Sequence, residues 1–226
     1  LNVIKYLDIS LDEKPFPFLV LEYVAGGTLE DFILTPKSER PPLQTVEAMK
    51  GIARGLSAAH RHKIYHRDLK PANILVTEGA DPLAKIADFG LGRVDSERST
   101  DGSSFASQGA LVGTRMYLPP EAADPYIPRQ PAQDDVFAFG VIWFQMLMGK
   151  IERPSYDFAE RLRGEGADSR TVRLLSRCLA HPERRFPDAV ELLEALERNE
   201  PGEWIVPEDC FDVGPLAREY LESLSS

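Results

Sequence analysis

The sequence predicts an α+β fold, with a little β-structure first and helices after it. Three observations carry this expectation. Two runs near the start, Val3 to Ile9 and Phe18 to Tyr23, are apolar and rich in β-branched or aromatic residues, the composition of strands. From Thr45 onward, Val46, Met49, Ile52, Ala53, Leu56 and Ala59 recur at steps of three and four, which marks one face of an amphipathic helix. Val136 to Met148 is apolar almost throughout, the pattern of a helix buried on all sides.

Each element follows in order. The link "SLDEKPFP" is rich in turn formers, so the first two strands form a hairpin. "AGG" (Ala25 to Gly27) breaks the pattern, and Thr28 with Asp31 three places on forms a capping-box signal for a short helix. "TPKSERPP" is a loop. The helix from Thr45 ends near His60. Ile74 to Val76 and Leu83 to Ala87 are two short strands joined by the turn "TEGADP". A segment rich in Ser and Gly runs on to Gly109. The buried helix stops at Gly149, a residue suited to a left-handed cap. Thr171 to Leu179 and Pro187 to Leu196 close the helical part, with Ala189, Leu192, Leu193 and Leu196 sharing a face. After Asn199 the periodicity weakens into an acidic tail.

Composition narrows the function classes. The 226 residues suffice for one large domain or two small ones. Lys and Arg number 26 against 36 Asp and Glu, a net charge of −10. That balance opposes nucleic-acid binding through phosphate neutralisation, but not a local nucleotide site. Cys178 and Cys210 form neither a metal-ligand spacing nor a disulfide framework. Cys178 lies among leucines and reads as a buried reduced thiol, suited to a reducing, cytoplasmic compartment. No signal-peptide pattern opens the sequence. The longest apolar run is too short for a bilayer and is interrupted by Gln145, so no membrane segment is expected.

The chemistry concentrates in "YHRDLKPANIL", Tyr65 to Leu75, which places His66, Arg67, Asp68, Lys70 and Asn73 together, and in Asp88-Phe89-Gly90. His66-Arg67-Asp68, then Asn73, then Asp88-Phe89-Gly90 fit the protein-kinase signature set. From about Asn2 to Leu196 the chain resembles the C-terminal lobe of a eukaryotic-type (Hanks-type) Ser/Thr protein kinase, and "KPANIL" and "DDVFAFGVIWFQML" look most like bacterial members. The resemblance implies a protein-kinase-like fold: strand remnants and hinge over 1–24, the helical lobe over 25–198, and a tail or linker over 199–226. It implies ATP and Mg²⁺ as cofactors, and a protein with a Ser or Thr hydroxyl as acceptor.

The residue types suit that chemistry. Phosphoryl transfer needs a hydroxyl held in line with the γ-phosphate, a group to take its proton, and cations over the oxygens. Asp68 is a lone carboxylate able to orient and deprotonate the hydroxyl. Lys70 is a mobile positive charge for the transferring phosphate, and in the family a Lys there accompanies Ser or Thr acceptors. Asn73 and Asp88 offer hard oxygen ligands for Mg²⁺, presented together by the short strand pair. Gly90 allows the bend after Phe89, and Phe89 packs inward so that its position sets where Asp88 points.

Further roles come from the resemblance alone. "LEYV" matches the hinge, with Leu21 as gatekeeper, the Glu22 carbonyl and the Val24 amide and carbonyl facing adenine, and Leu75 as the floor beneath the base. "GTRMYLPPE" resembles the substrate-binding segment. There Thr114 would bond near Asp68 and Lys70, and Glu121 would pair with a buried Arg185; the family's Ala-Pro-Glu is here Pro119-Pro120-Glu121. Asp135, at the head of the buried helix, would hold the backbone of His66 and Arg67. Arg67 would meet a phosphate on Ser96, Ser99, Thr100, Ser103, Ser104 or Ser107. Thr28 stands where some kinases that prefer basic substrates carry an acid, so no basic consensus is expected. His60, His62 and His66 lack a completing Cys or carboxylate and are expected to be structural.

The glycine-rich loop, strand Lys and helix Glu of a complete kinase site do not occur in these residues, and Lys5 lies in the wrong place. The expectation is a kinase whose N-terminal lobe lies outside this sequence, with these residues alone transferring negligible phosphate. The alternative is a non-catalytic C-lobe that binds partners, which would have no physical need of Asp68, Asn73 and Asp88 together.

Overall fold

The computed structural model describes residues 2–10, 18–36, 38–39, 44–89 and 115–198. The strands are β1 (Tyr6–Ser10), β2 (Phe18–Leu21), β3 (Ile74–Val76) and β4 (Ala84–Ile86). The helices are α1 (Leu29–Leu34), α2 (Thr45–Arg61), α3 (Pro131–Met148), α4 (Phe158–Gly164), α5 (Ser169–Leu179) and α6 (Ala189–Glu197). The expected α+β order holds: two antiparallel hairpins, β1–β2 and β3–β4, with helices dominating after them.

The α3 helix is the axis of the core. Pro131 opens it where a missing N–H costs nothing, and Gly149 ends it in the left-handed region at φ 71°. Val136, Phe139, Val141, Ile142 and Phe144 are fully buried. The α2, α4, α5 and α6 helices all pack against it, so no face of α3 meets water over most of its length. That is why its sequence shows no polar stripe. Gly140 lets α5 come close: a Cβ there would lie 2.8 Å from the Cys178 Cβ. Cys178 is buried, as its neighbours indicated, and burial pushes its thiol well above the ordinary range.

The first strand differs from expectation. Regular pairing with β2 starts at Tyr6, not Val3, because residues 2–4 pair elsewhere. Ile4 N–H donates to the Ile86 carbonyl at 2.9 Å, and Ile86 N–H donates to the Asn2 carbonyl at 2.9 Å. This stretch therefore runs beside β4. It fits there because α2 presents glycines beneath it: a Cβ on Gly55 would lie 2.8 Å from the Asn2 carbonyl oxygen.

Helix starts also shift. Asp168 caps α5 by accepting from Thr171 N–H, and Asp188 caps α6 by accepting from Val190 and Glu191 N–H. The capping box at Thr28 and Asp31 forms as expected. The α4 helix went unread because only Phe158 and Leu162 are buried in it, too few to make a periodic signal.

Candidate active site

The polar loop after α2 is shaped by one carboxylate. Asp135 is 1 % exposed. Its Oδ2 accepts from His66 N–H at 2.7 Å, and its Oδ1 accepts from Arg67 N–H at 2.8 Å. Asp135 lies one turn inside α3, not at its head, because the helix begins at Pro131. Its stabilisation therefore comes from these loop amides and not from its own helix terminus. Arg67 adopts φ 65°, a left-handed conformation that costs a side-chain-bearing residue about 1–2 kcal/mol. The Asp135 bonds hold it there.

His60 completes this anchor. Ala189 N–H donates to His60 Nδ1 at 3.1 Å, so Nε2 carries the proton and donates to Asp135 Oδ2 at 3.0 Å. The imidazole thus ties α2, α3, α6 and the loop together. Among the described residues no group of His, Cys, Asp or Glu could hold a metal on its own. His66 turns its Nε2 to the Ala87 carbonyl at 2.8 Å, which joins the loop to the end of β4.

The chemical groups sit on this frame. Lys70 Nζ donates to Asp68 Oδ2 at 2.9 Å. Asn73 Nδ2 donates to the Asp68 carbonyl at 2.9 Å and to Asp68 Oδ2 at 3.3 Å. Two nitrogen donors therefore occupy one Asp68 oxygen. The Asn73 amide is orientated with its nitrogen towards Asp68, which leaves its oxygen for a cation. Ala87 N–H donates to the Asn73 carbonyl at 2.9 Å, so Asp88 follows immediately beside Asn73. Asp88 is exposed and has φ 59°, a strained conformation of the kind that concentrates at functional sites. Its carboxylate has no hydrogen-bond or ion-pair partner among the described residues. Phe89 is half-buried and packs on the His66 ring, centroids 4.9 Å apart.

Two hard oxygens from Asn73 and Asp88 suit Mg²⁺, which binds through one or two protein ligands with phosphates and water completing its shell. The donor set fits the ion.

Of the residues expected to frame the base, Glu22 lies against the outer face of β3–β4 and Leu75 is on it. Leu75 and Lys85 are cross-strand partners and share a face, while Ile74, Val76, Ala84 and Ile86 point into the core. Lys85 Nζ donates to both Glu22 carboxylate oxygens, at 2.8 and 2.7 Å, so that face looks towards Glu22. Lys5 N–H donates to the same carboxylate at 2.9 Å, and Glu22 N–H donates to the Lys5 carbonyl at 3.0 Å. The Lys85 bond first, then the Lys5 amide, hold the Glu22 carboxyl below the usual range. Leu21 ends β2 opposite Tyr6. Burial first and then the Asp88 carboxylate push the Tyr6 phenol above its ordinary range. Through Lys85, Glu22 and Leu75 are thus brought to one face of the β3–β4 hairpin, whose ends carry Asn73 and Asp88.

The expected Glu121–Arg185 pair forms. Arg185 Nη1 donates to Glu121 Oε1 at 2.7 Å, and Nε donates to the Ala180 carbonyl at 3.0 Å. The Arg185 side chain is 1 % exposed. Gly90, Thr114, the Ser and Thr positions from Ser96 to Ser107, Cys210 and the tail from 199 lie outside the described residues. Sequence reasoning missed the clamp on the Glu22 side chain, having weighed only its carbonyl. It also passed over Gln145, noted merely as a break in an apolar run. Gln145 is fully buried, and its Oε1 accepts from the Tyr117 hydroxyl at 3.1 Å.

Comparison with known proteins gives the family of the chain. The protein kinase domain family matches residues 1–203. The chain is 38 % identical over 138 residues to the serine/threonine-protein kinase PknL of Mycobacterium tuberculosis, covering 59 % of the chain and 31 % of that protein. It is 30 % identical over 204 residues to the serine/threonine-protein kinase PknB of Mycobacterium leprae, covering 84 % of the chain and 31 % of that protein. The chain spans about a third of the length of these relatives.

Proposed function

Because the chain belongs to the protein kinase domain family, we propose that its protein is a serine/threonine kinase that moves the γ-phosphate of ATP onto a protein hydroxyl. The single observation that carries this is the Asp68–Lys70–Asn73 cluster with Asp88 set beside it. In this reading residues 1–24 supply strands and hinge, 25–198 form the C-terminal lobe, and 199–226 are a tail or linker. The reaction is cytoplasmic, where ATP is abundant and a free Cys178 persists.

The residues divide the work. Asp68 Oδ2 is occupied by Lys70 and Asn73, so Oδ1 faces the acceptor hydroxyl, orients it and takes its proton. Lys70 neutralises charge that develops on the phosphoryl oxygens. Asn73 and Asp88 would hold Mg²⁺, which would draw charge from the phosphates. Leu21, Glu22, Val24 and Leu75 frame the adenine, the last from below. Arg67 pairs with a phosphate on the segment 96–107.

The test uses the natural full-length protein with Mg²⁺, ATP and a degenerate Ser/Thr peptide library. Asp68→Asn is expected to lower the transfer rate by about 10²–10⁴-fold while leaving the thermal unfolding curve in place. An Asp68→Asn protein as active as wild type would overturn the assignment.

A further inference from the structure

We propose that Arg153 is a positioning residue for the acceptor protein, holding the segment 115–118 in the shape that receives it. This rests on the kinase reading above. Arg153 lies in the link between α3 and α4, yet its side chain reaches back across the fold. Nη1 donates to the Arg115 carbonyl at 3.1 Å and to the Met116 carbonyl at 3.2 Å, and Nη2 donates to the Leu118 carbonyl at 3.0 Å.

The match is one of shape as well as charge. Leu118 N–H donates to the Arg115 carbonyl at 3.2 Å, so residues 115–118 form a single turn. Carbonyls gathered at such a turn present a negative dipole end, as at a helix C-terminus. A planar guanidinium can serve several of them at once, whereas a lysine ammonium is a point charge that cannot. The guanidinium carbon also lies over the Phe137 ring, 5.4 Å from its centre, a cation–π contact that favours its charge there.

Gln145 reinforces the same junction. Its Nε2 donates to the Glu152 carbonyl at 3.0 Å and contacts Met116 Sδ at 3.2 Å, while its Oε1 receives the Tyr117 hydroxyl. The next residues are anchored separately, through the Glu121–Arg185 pair. Arg153 therefore controls the stretch that directly follows Thr114 in the chain, which the kinase reading assigns to the acceptor. The nucleotide side is held by a different set, Lys85 and Lys5 on Glu22 and Asn73 on Asp68. Loss of Arg153 should loosen acceptor binding without loosening nucleotide binding.

The experiment compares Arg153→Lys and Arg153→Gln with wild type in the natural full-length protein, using ATP and the degenerate Ser/Thr peptide library. The expected result is a rise of about tenfold in KM for the library, since small misplacements of a positioning element cost up to ~100-fold, with KM for ATP within about twofold. Arg153→Lys keeps the charge and carries the test if Arg153→Gln fails to fold. Equal rises in both KM values, or an unchanged acceptor KM in both variants, would overturn the proposal. A wild-type protein that transfers no phosphate overturns the kinase reading, and this inference with it.

Discussion

Asp135 has three polar hydrogens converging on it, from His66 N–H, Arg67 N–H and His60 Nε2. Removing the carboxylate leaves those donors buried without acceptors, at about 1–3 kcal/mol for each. Asp135→Ala is therefore expected to cost at least about 3 kcal/mol in urea unfolding at neutral pH, and to abolish transfer by releasing Arg67 from its left-handed conformation. His66 and Arg67 were legible in the sequence because their order is fixed by the chemistry of one loop, whereas Asp135, 69 and 68 residues further on, was assigned only through the family resemblance. His60 was legible only as structural. Its partners, Asp135 and Ala189, lie 75 and 129 residues away, and no local pattern carries such a separation. The same holds for the Lys85–Glu22 clamp, in which an ordinary strand lysine acquires its role only when two hairpins meet.

At the level of elements, periodicity served well where one face is buried and poorly where none or all is. The α2 helix was read from its first residue, Thr45. The α3 helix was found from its apolar run, but its polar first turn, with Gln133 and Asp134, hid the true start. The glycines show how closely these helices pack. Gly140→Ala would push a methyl within 2.8 Å of Cys178 Cβ, an atom fixed to its own backbone, and 3.0 Å of Leu179 Cδ2. It should cost about 1–3 kcal/mol. Gly164 ends α4, and a methyl added there would meet nothing within 4 Å, so Gly164→Ala should stabilise by about 0.4–1 kcal/mol. Chemical denaturation of the pair checks both signs; a stabilising Gly140→Ala would contradict the close α3–α5 approach.

Across the whole molecule, distant segments are joined by a few buried polar links. Glu121 and Arg185 connect the stretch that follows residues 115–118 to the stretch between α5 and α6. Glu121→Gln would leave the Arg185 charge buried without its counter-ion, at about 3 kcal/mol, seen as a lower unfolding midpoint. Tyr117 governs the alkaline limit. Burial first, and more weakly the Glu30 charge, push its phenol up to about 12 against an ordinary value of 10.0, despite the opposing bond to Gln145. A raised folded value means that its contribution is complete below about pH 10 and drains away as pH rises towards 12. The loss amounts to about 2–3 kcal/mol. Melting curves between pH 8 and 11.5 should fall more steeply for wild type than for Tyr117→Phe. Fold class and the order of elements were visible from sequence because they depend on local pattern. The joins were not, because each requires two remote residues to be brought together by packing.

The indole of Trp143 has a practical consequence of its own. It is 2 % exposed, meets Phe139 edge-on at a centroid distance of 5.8 Å, and has no hydrogen-bond acceptor for its N–H among the described residues. A chromophore in so apolar a setting emits towards the blue and is hidden from collisional quenchers. In a Trp204→Phe background its fluorescence becomes an optical gauge of the α3 core. A red shift with acrylamide accessibility would time the opening of that core, independently of any assay for phosphate.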